Sequence, residues 1–122
     1  MKVELAPIRH YLRMLTESRV AAQGDPMENV SDMDEPIDEM AASAQANGDD
    51  DLLRLVIDAL AADPDGRLDP FRGSYYGWSD AELVDLLVYA HDRIWPDYLR
   101  SLPGDEAEIE FVETPAAVPG RG

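Results

Sequence analysis

Apolar residues recur at helical spacing in three stretches of the chain, residues 7–22, 51–62 and 79–94. In the first stretch the pattern runs i, i+3, i+4, i+7, which places the apolar side chains on one face of a helix. The residues that carry this pattern are Ile8, Tyr11, Leu12 and Leu15. The other two stretches show similar spacing, so the sequence predicts three main helices that share one core.

The sequence WSDAEL marks the beginning of the third helix. Ser79 and Glu82 stand three residues apart, which is the spacing of a capping box, in which each side chain satisfies a free backbone N–H of the other residue. Trp78 directly precedes this box and can pack on Leu83 as a hydrophobic staple. We therefore expect Trp78 to have a structural role.

Two short segments near the ends of the chain alternate polar and apolar residues, as strands do. They are residues 2–5 and 108–111. A single strand leaves its backbone groups unpaired, so we expect these two segments to pair with each other. The predicted fold is therefore mainly α, a small helical domain of three main helices plus a short helix, with a two-stranded pairing of the termini.

Four segments follow from this pattern, and we expect them to form one domain. Residues 1–22 hold the first strand and helix, and residues 23–50 form an acidic mobile segment. Residues 51–104 form the helical core, and residues 105–122 form the second strand and a tail. The tail has no apolar pattern, so we expect it to be mobile unless a partner holds it.

Negative charge is concentrated in the segment 23–50. Between Arg19 and Arg54 the chain contains ten acidic residues and no basic residue. Mutual repulsion and a low apolar content favour mobility here, interrupted by a short helix from Pro36 to Gln45. The carboxylates that we expect to contact a partner are Asp32, Asp34, Glu35, Asp38 and Glu39.

The whole chain carries a formal charge of −16, from 26 acidic and 10 basic residues. Such a charge repels phosphate backbones and anionic membranes and attracts basic surfaces, which argues against direct binding of nucleic acid. No stretch approaches the ~18 uncharged apolar residues of a membrane span. A biased composition, in which Lys2 is the single lysine, is an alternative origin of the acidity.

The sequence contains no recognisable motif for catalysis, a metal or a cofactor. It has no Cys, which excludes disulfides and thiolate metal sites. His10 and His91 are isolated, and the serines lie in no nucleophile elbow. The amino-terminal residues are too charged for a signal peptide. We therefore expect a non-enzymatic protein without a cofactor, located in the cytoplasm.

Tyr75 and Tyr76 stand next to each other in a loop flanked by Gly73 and Gly77. Adjacent side chains in such a loop diverge, so at most one ring can easily point inward. Tyrosine is common among residues that dominate binding energy, because it combines a large apolar body with a hydroxyl at small entropic cost. We predict that both tyrosines contact a partner, with coverage of the helix ends as the alternative role.

The segment LLRLVIDALAADPDGRLDPFRGSYYGWSDAEL resembles part of the colicin and pyocin nuclease immunity proteins, which are small acidic four-helix proteins with a double tyrosine after a PDG turn. The resemblance covers about a quarter of the chain. In this chain Tyr75 and Tyr76 lie nine and ten residues after Gly66, and Gly73 and Ser74 precede them in place of an acidic residue. The resemblance implies that the two tyrosines meet a basic nuclease surface.

The leading functional hypothesis is an acidic interaction protein that binds and inhibits a partner with a basic surface. It would act as an immunity or antitoxin-like inhibitor or as a nucleic-acid mimic, with carboxylates in the places where phosphates bind. The alternative is a structural or assembly subunit, whose termini and acidic segment become ordered against neighbouring subunits.

Overall fold

The computed structural model describes residues 1–113, which form a helical fold with one small sheet. In chain order the elements are β1 (Lys2–Glu4), α1 (Leu5–Thr16), α2 (Arg19–Ala22), α3 (Asp34–Ala46), α4 (Asp50–Ala62), α5 (Asp80–Ile94) and β2 (Glu110–Val112). Two short 3-10 helices occupy Val30–Met33 and Asp69–Phe71. Except for α2, which is a single turn, the α-helices are 12 to 15 residues long. The predicted mainly α fold is confirmed.

The two predicted strands do pair. β1 and β2 run parallel, with Val3 opposite Phe111. Val3 is buried, and the Phe111 ring packs edge-on against Phe71 with the ring centroids 5.6 Å apart. The amino group of Met1 donates a hydrogen bond of 2.6 Å to the carbonyl oxygen of Glu108. The sheet therefore joins the first residues of the chain to the segment that follows the last helix.

The first predicted helix is divided in the structure. The sequence predicted one helix over 7–22, whereas α1 ends at Thr16 and α2 begins at Arg19. Between them Ser18 is extended, and its Oγ accepts a hydrogen bond of 3.3 Å from the N–H of Ala21. A serine N-cap offers the backbone an alternative to continuing the first helix, so periodicity alone misplaced its end.

The predicted short helix over Pro36 to Gln45 is present as α3 and is longer than expected, at 13 residues. Ile37, Met40 and Ala44 on its inner face are fully buried, and α1 is its main packing neighbour. Burial of these apolar side chains offsets the repulsion among the acidic residues on its outer face. The mobility of residues 23–50 stays a prediction, and we now expect it mainly in the stretch before α3.

The last helix, α5, packs against both α4 and α3. The predicted capping box at its start is confirmed. The N–H of Glu82 donates to Oγ of Ser79 at 3.1 Å, and the N–H of Ser79 donates to Oε1 of Glu82 at 3.0 Å. The buried residues that α5 contributes to the core are Leu83, Leu86, Leu87, Ala90 and His91.

The indole of Trp78 connects the start of α5 to the end of α1. Its side chain is 4% exposed, and Nε1 donates a hydrogen bond of 3.2 Å to the carbonyl oxygen of Thr16. The preceding loop is held at the same place, because the N–H of Ser74 donates to Oε2 of Glu17 at 3.1 Å. Gly73 has φ of 69°, and a Cβ there would lie 2.5 Å from Cγ of Glu17, so the loop requires glycine at this position.

Replacing Trp78 with alanine should lower the free energy of unfolding by about 3–5 kcal/mol, because it removes a large buried ring. The matched control is Tyr75→Ala, which removes a ring from the same loop. The Tyr75 side chain is 56% exposed, so we expect a small change. Urea denaturation followed by circular dichroism measures both variants. Equal losses would contradict the packing described above.

Candidate protein-binding surface

Tyr75 is the exposed member of the tyrosine pair. It lines an open depression of about 420 Å³ beside α1, together with Arg9, His10, Arg13 and Glu17. Within residues 1–113, neither of these arginines lies within 4.0 Å of a carboxylate oxygen. Glu17 is already the acceptor for Ser74. The tyrosine therefore lies in a locally basic part of an acidic protein.

Tyr76 is half-buried and supports the beginning of α5. Its hydroxyl donates a hydrogen bond of 2.7 Å to Oε2 of Glu82, and its ring meets Trp78 edge-on with centroids 5.2 Å apart. The hydrogen bond to Glu82, followed by burial, raises the pKa of Tyr76 to about 12. The pKa of Glu82 is lowered, first by the backbone N–H of Ser79 and then by Tyr76. Of the two tyrosines, Tyr75 thus offers the freer ring.

Asp34 and Asp38 fasten α3 to α5. Both nitrogens on one side of the Arg93 guanidinium bind Asp38, with Nε to Oδ1 at 2.9 Å and Nη2 to Oδ2 at 2.8 Å. Asp34 accepts a hydrogen bond of 2.5 Å from the hydroxyl of Tyr89 and lies 3.4 Å from Nη1 of Arg93. The hydrogen bonds from Arg93 lower the pKa of Asp38. The charge of these two carboxylates is partly neutralised within the protein.

The other three predicted carboxylates, Asp32, Glu35 and Glu39, are exposed. Glu35 lies 3.3 Å from Arg19, but both side chains are mostly exposed, so this ion pair contributes little. Glu35 and Glu39 line one depression between α1 and α3, and Asp32 lines a second depression. Val20 borders both depressions, so the three carboxylates belong to one continuous stretch of surface.

The structure adds two residues to this stretch that the sequence interpretation left out. Asp25 and Glu28 are exposed and line the same depression as Asp32. They lie in the same stretch between Arg19 and Arg54 that contains no basic residue, and this feature of the sequence could have identified them. We call the five carboxylates the acidic rim: Asp25, Glu28, Asp32, Glu35 and Glu39.

The seven predicted contact residues therefore occupy distinct environments. Three of them lie on the acidic rim, two lie in the cluster around Arg93, and Tyr76 lies at the capping box. Tyr75 lies beside the basic side chains of α1. Met14 borders both the depression of Tyr75 and that of Glu35, so the basic and acidic parts adjoin along α1.

The described residues offer no arrangement for metal binding. Within residues 1–113, no group of three or more His, Asp or Glu side chains is placed to hold a metal ion. None of the helices in that range has the length and apolar content needed to cross a membrane.

His91 is buried in the core, and burial lowers its pKa, so this imidazole is neutral at physiological pH.

Tyr76 should titrate near pH 12 in an ultraviolet difference titration, and Tyr76→Phe should remove that step. The pKa is raised above the ordinary value of 10.0. The hydrogen bond to Glu82 therefore stabilises the fold fully below pH 10, and this contribution is lost as the pH rises through about 12.

Glu82→Gln provides the control for this titration, because glutamine keeps the capping box and removes the charge. In that variant the pKa of Tyr76 should fall toward its ordinary value. An unchanged late titration step in Glu82→Gln would contradict the assigned cause.

Comparison of the chain with protein-family models, curated proteins and solved structures gives no significant match. The resemblance to nuclease immunity proteins therefore concerns only residues 52–83, which include most of α4 and the chain up to the first turn of α5.

Proposed function

We propose that this protein is a non-enzymatic binding protein that occupies, and thereby inhibits, a basic surface on a protein partner. The observation that carries the proposal is the acidic rim. Among residues 1–113, one cation is bound to its five exposed carboxylates, namely Arg19, through a weak exposed ion pair with Glu35. A formal charge of −16 on the whole chain adds a long-range field of the same sign.

The mechanism is competition for places where a basic partner binds phosphates. Carboxylates on the rim occupy those places, and the charge of the chain accelerates the encounter. Tyr75 is near the rim along α1 and supplies an exposed ring for short-range contact with a part of the partner that is not basic, because Arg9 and Arg13 line the same depression. Partners of this kind include nuclease toxins and nucleic-acid-binding effectors, in agreement with the resemblance to immunity proteins.

A second candidate function is a subunit of a larger assembly. One observation favours it, namely the exposed leucines Leu99 and Leu102 in the segment after α5. Apolar side chains that are grouped on a surface mark sites of interaction with other proteins. Size-exclusion chromatography in lysate separates the two functions, because an inhibitor elutes with one basic partner and a subunit elutes in a large complex.

The role of the acidic rim is tested with one variant that neutralises the three rim carboxylates that the sequence had predicted to contact a partner. The substitutions are Asp32→Asn, Glu35→Gln and Glu39→Gln. The partner is first recovered by affinity capture and identified by mass spectrometry, and association is then measured by surface plasmon resonance at several salt concentrations. We expect association to slow by about tenfold at low salt and its salt dependence to flatten, because rim charge steers the encounter.

The matched control has the same change of net charge at other exposed carboxylates, namely Asp51→Asn, Asp65→Asn and Asp85→Asn. A general effect of net charge would slow both variants equally. A specific effect of the rim slows the first variant more. Association that responds to neither salt nor neutralisation would show that the acidity has no role in binding.

A further inference from the structure

Three large apolar side chains are exposed within five residues of the segment 95–104, which follows α5. The exposed fractions are 51% for Tyr98, 98% for Leu99 and 70% for Leu102. Grouped apolar side chains on the surface mark sites of interaction more often than single ones do. We call these three residues the apolar patch.

The segment that presents the apolar patch is held in place by contacts on several sides. The N–H of Ser101 donates a hydrogen bond of 2.7 Å to Oδ1 of Asp58 in α4. Arg100 binds Asp92 of α5, with Nε to Oδ1 at 3.0 Å. The guanidinium of Arg54 lies 4.1 Å from the centroid of the Tyr98 ring. These contacts order the segment before a partner arrives, which lowers the entropic cost of binding.

A depression of about 180 Å³ lies beside the apolar patch, between the end of α4 and the segment 95–104. Asp58, which is 7% exposed, belongs to its lining, and so does Arg100, whose guanidinium is bound to Asp92. The apolar part of the lining comes from both sides. Its residues are Ala61, Ala62, Leu102 and Pro103.

Asp58 is a buried carboxylate with no cation bound to it among residues 1–113, although Arg100 lines the same depression. Within residues 1–113, no Lys, Arg, His or amino-terminal nitrogen lies within 4.0 Å of it. In the described part of the chain, the Asp58 side chain accepts one hydrogen bond, from the backbone N–H of Ser101, which carries no net charge. The charge of Asp58 acts to raise the pKa of His91, but burial has the larger effect, lowers this pKa and keeps the imidazole neutral. Burial of an unpaired carboxylate is costly, so a cation that reached Asp58 would be bound favourably.

We propose that this depression receives a Lys or Arg side chain from the basic partner, while apolar residues next to that cation pack on Leu99 and Leu102. The site matches a Lys or Arg side chain, because the aliphatic stem of that side chain fits the apolar walls and its charged group reaches the Asp58 carboxylate. The proposal rests on the proposed function for the existence of a basic partner. It adds a second contact surface, and it specifies an amphipathic basic segment as the occupant.

Charge argues against a second copy of this chain as the occupant. The segments next to the apolar patch carry the exposed carboxylates Asp97 and Asp105, and Arg100 is already bound to Asp92. Two copies joined here would bring these like charges together, and each copy carries a formal charge of −16. A segment that combines leucine with lysine or arginine complements both the apolar and the acidic part of the site.

The test uses a fluorescent synthetic peptide that forms an amphipathic helix of leucine and lysine, with binding measured by fluorescence anisotropy. Asp58→Asn removes the charge and keeps an oxygen to accept the hydrogen bond from Ser101. Leu99→Ser alters a side chain that makes almost no contact within the fold. We expect each variant to weaken binding by about tenfold, as for residues at the centre of an interface.

Asp65→Asn is the control for Asp58→Asn, because it has the same charge change at an exposed position. It should bind the peptide as the unaltered protein does. Leu99→Ser keeps the test decisive if Asp58→Asn fails to fold, as judged by circular dichroism.

Two outcomes would overturn the proposal. One is peptide binding that is absent in the unaltered protein or unchanged in Asp58→Asn and Leu99→Ser. The other is a concentration-dependent dimer in sedimentation experiments that Leu99→Ser abolishes, since the apolar patch would then bind a second copy. Neither outcome decides the proposed function, because the kinetics of the rim variants with the captured partner test it separately.

Discussion

The contact between the indole of Trp78 and the last turn of α1 is the constraint on which the rest of the described surface depends. It joins positions 62 residues apart in the chain, through the hydrogen bond to Thr16. Because Trp78 directly precedes the capping residue Ser79, the same contact sets where α5 begins. The loop before it is fixed against Glu17 at the other end. Tyr75 is therefore presented by a loop that is anchored on both sides.

The sequence predicted best those features that depend on neighbouring residues. The capping box at Ser79 follows from a spacing of three, and the amphipathic helices follow from their periodicity. The break at Ser18 is also local, but the apolar pattern continues through it, so periodicity alone predicted one uninterrupted helix. Pairing of the two ends followed from the instability of a single strand.

Contacts between distant residues decided what the sequence could not predict. Arg93 binds Asp38, which lies 55 residues earlier, and no local pattern distinguishes Asp38 from Glu39 beside it. Yet one of these carboxylates fastens two helices together and the other lies on the acidic rim. Tyr75 and Tyr76 are also neighbours in sequence with different environments, although here the deciding contact is short in sequence, from the Tyr76 hydroxyl to Glu82 six residues later.

The carboxylates of this protein thus fall into two groups. Some carboxylates are structural, such as Asp69 and Asp80, which both bind Arg72. Others, such as Asp32 and Glu39, have no ion-pair partner among residues 1–113, because the chain has too few cations. The formal charge is therefore a poor measure of the charge available to a partner. The relevant quantity is the charge that remains after the arginines have joined the elements of the fold.

The parallel pairing of β1 with β2 also determines how the fold resists a pulling force. Because β1 and β2 are parallel, with Val3 opposite Phe111, the chain enters β1 at one end of the ladder and leaves β2 at the other end. A force applied between Met1 and Glu113 acts along the strands and loads the ladder hydrogen bonds in shear. An antiparallel pair with both ends on one side would open one bond at a time. Here the hydrogen bonds share the load, so the small sheet acts as a mechanical clamp across the helical core.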